Sequence, residues 1–231
     1  MRLIRRRLSG ERGFTLVELL VAITVGMVVL MAAFMVLDRS ISASSQISDR
    51  TEALQRGRQA MDLITRQLRS QVCLGETAPI VSGNDTSLTF YGDLSDGTTP
   101  IKQRTLSYSS STDTITESVV PGVGTYPALT FTGATTSQPL LTKVKQIVDG
   151  STNRPVFRYY GYQTGTTNGT LVQLASPLTA TNLPKVALIK IGFRAFAVRP
   201  ILNDKDSATL ENDVYLRVAV PTNPEDGPEC I

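Results

Sequence analysis

Two patterns of apolar residues divide this 231-residue chain. Residues 14–37 read FTLVELLVAITVGMVVLMAAFMVL, with one charge and no proline in 24 positions. At 1.5 Å per residue a helix of that length reaches about 36 Å, against roughly 30 Å of bilayer hydrocarbon, so the run predicts a membrane-crossing helix. From 38 to 72 there is again no proline, but the apolar residues thin to Ile47, Leu54, Met61, Ile64, Leu68 and Val72, spaced by seven, three and four. That spacing predicts an amphipathic continuation of the same helix, about 88 Å from 14 to 72. Glu52 with Arg56 and Asp62 with Arg66 stand as acid-to-base pairs four residues apart on its outer faces, and Gly57 is a mild weak point.

Beyond Cys73 the pattern changes to short alternating runs between Ser, Thr, Gly, Pro and Asn. Strands are expected at 87–91, 104–109, 112–118, 156–162, 186–198 and 214–220. RTLSYSSSTDTITES (104–118) reads as a hairpin with one face on a core and the other in water. The fold class is therefore α+β: a long N-terminal helix packed on an antiparallel β-sheet head. The expected divisions are a leader at 1–13, the apolar half of the helix at 14–37, its amphipathic half at 38–72 and a β-rich head at 73–231.

Composition narrows the chemistry. The chain has no His and no Trp, which removes imidazole acid–base catalysis and the usual His-dependent nucleophile systems. Two cysteines cannot build a Cys-rich zinc site, and neither GxxxxGK[ST] nor GxGxxG occurs. No enzyme activity and no cofactor are expected. Asn203, Asp204, Asp206, Glu211, Asn212 and Asp213 could offer hard oxygens to Ca²⁺ but match no defined loop, and read as ordinary polar connections, so no metal is expected either. Five of the 23 basic residues and one of the 20 acidic residues lie in the first 13 positions, so the rest of the chain carries a net charge of −1 and gives no warrant for nucleic-acid binding. The arginines before the apolar run place the N-terminus in the cytoplasm and the head outside it. A secretory signal peptide has an apolar region of about 7 to 15 residues, shorter than this one.

The junction Gly13-Phe14-Thr15-Leu16-Val17-Glu18, set between the basic leader and the apolar run, resembles the class III signal of type IV pilins and type II secretion pseudopilins. The resemblance implies that a prepilin peptidase cuts after Gly13 and methylates the new amino terminus at Phe14. It implies too that residues 14–37 remain as the stalk of a subunit held in the bacterial inner membrane. A carboxylate in a membrane helix costs roughly 2.5 to 3.5 kcal/mol at mid-helix. In the resembling family Glu18 offsets this by neutralising the amino terminus of a neighbouring subunit, which would set the axial register; on its own the residue could also sit at headgroup depth and reach water. The phrase QRGRQAMDLITRQLR (55–69) is similar to a pattern in minor pilins of the PilW type and minor pseudopilins of the GspJ type. The partners so implied are the prepilin peptidase, other pilin or pseudopilin subunits, the inner-membrane assembly platform and the bilayer. Such subunits prime assembly or cap the tip, and appear in a cell-surface filament after assembly.

Cys73 at the expected helix end and Cys230 near the terminus would both face an oxidising exterior, where they can form a disulfide, stay as two thiols or bridge to another chain. A second reading is a single-pass anchored binding domain that never polymerises. The leader separates the two, because a plain anchor has no need of Gly13 or Glu18.

Overall fold

The computed structural model describes residues 13–93, 101–163, 170–198, 207–216 and 230. Leader residues 1–12, the oxygen donors Asn203, Asp204 and Asp206, and the expected strand positions 217–220 lie outside these ranges. The chain forms two compact units, Met1–Ser45 and Gln46–Ile231. Helix α1 (Leu16–Arg69) supplies the first unit and opens the second.

In the second unit α1 buries Ala53, Gly57, Ala60, Met61, Ile64 and Leu68. This stripe differs from the expected one. Met61, Ile64 and Leu68 are in the core, but Leu54 and Val72 are half-buried and Ile47 is exposed. Small residues let the helix approach the sheet closely, a contact that spacing of large apolar residues does not reveal. The helix also ends at Arg69 rather than 72. Gln71 bridges to Gly92, and the Val72 amide donates to the Tyr91 carbonyl at 3.1 Å, so sheet pairing takes over the backbone there.

The first sheet is an antiparallel meander of β1 (Ile80–Gly83), β2 (Ser87–Gly92), β3 (Lys102–Ser109), β4 (Thr114–Pro121) and β5 (Thr136–Thr142), in that order. Strict alternation puts Leu88, Phe90, Leu106, Tyr108 and Ile115 on its inner face. The β3–β4 hairpin matches the one expected, with Asp113 of its turn at φ 49°. Lys143, at φ 58°, then turns the chain into β6 (Val144–Lys145), and its carbonyl accepts the Phe196 amide at 2.9 Å.

A small hairpin of β7 (Val148–Asp149) and β8 (Thr152–Asn153) precedes the second sheet. There β9 (Phe157–Tyr162), β10 (Leu171–Gln173), β11 (Val186–Phe196) and β12 (Ser207–Tyr215) pair in the order β10-β9-β11-β12, with β6 on β11. Strand β11 is buried along most of both faces, which is why it reads as a nearly continuous apolar run. The last described strand is Ser207–Tyr215; of the strand expected at 214–220, Val214 and Tyr215 belong to it and 217–220 lie outside the described residues. Paired with β11, β12 turns Leu210 and Asn212 toward α1, while Glu211 and Asp213 point to the other side. Those two acids, read from sequence as loop residues, are strand residues paired with Arg154, with Arg158 at 3.6 Å and with Lys190 at 2.9 Å.

The helix is fastened to the sheets by polar contacts as well. Arg56 donates to the Phe196 carbonyl at 2.9 Å and to the Thr142 carbonyl and hydroxyl at 3.1 and 3.0 Å, joining both sheets to α1. Glu52 accepts the Val198 amide at 3.1 Å, and Asn212 donates to Thr65 at 2.8 Å. Glu52 and Arg56, expected to support each other along the helix, are thus both engaged with the head. Inside the first sheet Arg104 donates to Glu117 at 2.5 Å, and Gln138 donates to the other Glu117 oxygen at 3.0 Å; the Glu117 side chain is 1% exposed. The buried Tyr159 hydroxyl donates to the carbonyls of Asn84 and Ser87, tying β9 to the β1–β2 turn, and burial raises its pKa far above the ordinary 10.0. A disulfide joins Cys73 to Cys230 with 5.5 Å between Cα atoms, at a sequence separation of 157.

Candidate processing and assembly site

Residues 13–15 are exposed and lie outside the helix. Among the described residues nothing stands within 4 Å of where a Gly13 side chain would begin, and Phe14 is 80% exposed, so the 13–14 peptide bond is open to a protease on the described side. α1 starts two residues later because Thr15 caps it. The Glu18 amide donates to the Thr15 hydroxyl oxygen at 3.2 Å, and the Thr15 amide and hydroxyl both donate to the Glu18 carboxylate at 3.1 Å. This is a reciprocal capping box, which satisfies amides that the first turn of a helix otherwise leaves without acceptors. The carboxylate also sits at the positive end of the helix dipole.

From Leu16 onward the helix presents apolar side chains on every face. Leu16, Val17, Leu20, Ile23, Met27, Leu30, Phe34 and Leu37 are all exposed, and an 18-residue window has a mean hydropathy of 2.8 with none of it buried. A soluble helix shows one apolar stripe, whereas an all-round apolar surface belongs in lipid or against other apolar helices. The only hydroxyl between Thr15 and Leu37 is internally satisfied, since Thr24 donates to the Val21 carbonyl at 2.9 Å. The surface can therefore be transferred into hydrocarbon with its polar groups already matched, apart from what Glu18 retains.

Gly13, Phe14 and Glu18 thus fall within one short exposed segment, and Cys73 and Cys230 meet in the second unit. Thr15 was not singled out from the sequence, although the Thr-x-x-Glu spacing before an apolar run is itself the signature of a capping box. Among the described residues no group of three or more metal-ligating side chains forms.

The family described as the prokaryotic N-terminal methylation motif matches residues 8–34. The match covers Gly13, Phe14, Glu18 and most of the apolar run. No curated protein matches the chain at a significant level.

Proposed function

We propose that this chain, type IV pilin-like by its N-terminal methylation motif, is a minor pilin or pseudopilin of the PilW or GspJ kind. Prepilin peptidase removes residues 1–13 and methylates Phe14. The mature subunit stays in the inner membrane through residues 14–37, its head outside the cytoplasm, until it enters a filament, where it primes assembly or sits at the tip. The observation that carries this reading is the match over residues 8–34, continuous with a helix whose apolar side chains are exposed on all sides.

The capping box suits such a cycle. In the single subunit Thr15 supplies partners for the Glu18 carboxylate, which lessens the cost of keeping it at the end of an apolar helix. In a filament the methylated amino group of a neighbour's Phe14 offers Glu18 an opposite charge in a low-dielectric setting, a stronger partner than a neutral hydroxyl. Exchange of one for the other would favour assembly and fix the axial register.

The test is the intact mass of the protein recovered from membranes of cells with active prepilin peptidase, with and without Gly13→Ala. A mature chain beginning at N-methyl-Phe14, with uncut precursor in the variant, is the expected result. A wild-type chain that still begins at Met1 would sink the reading and leave an anchored exterior domain that does not polymerise.

A further inference from the structure

The turn that follows α1 is held more firmly than a surface turn requires. Leu74 and Thr77 exchange both backbone hydrogen bonds at 3.1 Å, closing a two-residue loop in which Gly75 takes φ 59°. A side chain on Gly75 would begin 3.1 Å from Pro127, and the Gly75 amide reaches the Tyr126 hydroxyl at 3.4 Å. From the other side the disulfide fixes Cys73, and the Cys230 sulfur lies 3.6 Å from the Thr77 carbonyl. The residue presented by this turn is Glu76. It is exposed, and among the described residues it makes no ion pair.

Glu76 lines a cavity of about 400 Å³ together with Ile80, Val81, Tyr91, Leu183 and Pro184, among others. Among the described lining residues it is the one ionised side chain. A lone carboxylate carried on a fixed turn beside apolar walls complements a cation that carries its own apolar stem. An anionic guest would be repelled, and a neutral polar guest would leave the walls unused. We propose that this cavity takes a basic, aliphatic-flanked side chain of a partner polypeptide, its ammonium or guanidinium on Glu76 and its stem and flanking residue against Ile80, Leu183 and Pro184. Pre-ordering of the turn by the disulfide lowers the conformational cost of that contact. The inference does not depend on how the N-terminus is processed or on whether the chain polymerises.

The experiment uses the full chain in neutral detergent and three capped tripeptides, acetyl-Leu-X-Leu-amide with X as Lys, norleucine or Glu, titrated by calorimetry. The Lys peptide is expected to bind about tenfold more tightly than the norleucine peptide, the weight of one charge-assisted contact, and the Glu peptide more weakly than both. Glu76→Gln should bring Lys down to norleucine, whereas Asp62→Asn, which removes an exposed acid on α1, should change nothing. Equal affinity for Lys and norleucine on the wild-type chain overturns the proposal, as does a Lys preference that survives Glu76→Gln, or the lack of saturable Lys binding below about 10 mM.

Discussion

Gly57 of α1 and Leu210 of β12 meet with no room for a methyl group between them. A Cβ on Gly57 would lie 2.5 Å from Leu210 Cδ1 and 3.1 Å from the Ala195 Cβ. The two obstacles differ in kind, since the Leu210 methyl can swing away and Ala195 is rooted in the buried strand β11. Gly57→Ala gains about 1 kcal/mol of helix propensity, which offsets much of the crowding, so its unfolding free energy should stay within about 1 kcal/mol of wild type. Gly57→Val gains less and adds two branches against a fixed neighbour, and is expected to destabilise by about 1 to 3 kcal/mol. Urea unfolding of both variants in the same detergent measures the difference. A valine variant as stable as the alanine one would show that the helix lifts off the sheet at little cost.

Removing the Cys73–Cys230 bond should cost the head much of its stability. Closing a loop with a sequence separation of 157 restricts the unfolded chain by about 5 kcal/mol on the chain-entropy estimate, and measured losses usually fall at about 2 to 5. The double serine variant and the reduced wild type should show the same lowered urea midpoint. Loss in one but not the other would point to the thiols, not the tether.

The Arg104–Glu117 pair makes a sharper test. With its side chain 1% exposed, Glu117 satisfies Arg104 on one oxygen and Gln138 on the other. Glu117→Ala strands a buried guanidinium and should destabilise by about 3 to 5 kcal/mol. Replacing both members, as Arg104→Met with Glu117→Leu, removes the uncompensated charge and should recover most of that loss. Denaturant unfolding of the single and double variants gives the coupling directly, and a double variant no better than the single one would mean that packing, not charge, dominates the site.

At the start of α1, Thr15→Ala removes the hydroxyl that accepts the Glu18 amide. Loss of an N-cap costs about 1 kcal/mol, so the Glu18 amide should exchange with solvent roughly fivefold faster in the variant. Thr15→Ser keeps the hydroxyl and should restore the wild-type rate. Hydrogen exchange followed by NMR in micelles reads this out, and an unchanged rate in the alanine variant would show that the carboxylate caps the helix alone.

Much of the architecture can be read from the chain because its main elements carry strong local patterns. The apolar run, the β3–β4 hairpin and β11 each declare themselves by length, alternation or continuous burial. Strands β1, β5 and β10 do not. β5 is an exposed edge with Pro139 inside it, and β10 is three residues held by β9, so their strand character comes from the neighbour and not from their own composition. Glu211 and Asp213 of β12 read as loop from the sequence because charged residues look like loop until Arg154, Arg158 and Lys190 are placed opposite them. In the N-terminal segment Gly13, Phe14 and Glu18 could be singled out because they lie within six positions and their motif is local. The close fit at Gly57 was not legible for the opposite reason, since the sheet that demands it lies more than 130 residues further along the chain.

The bond between Cys73 and Cys230 makes a covalent ring of everything between them. A protease that nicks any single loop within that ring opens it without releasing a fragment, and both new ends stay tethered to α1. Such a head could be cut at its surface and still migrate as one chain until a reductant is added. Proteolytic wear would then show itself first in the pattern of bands on a reducing gel, with the chain still whole on a non-reducing one.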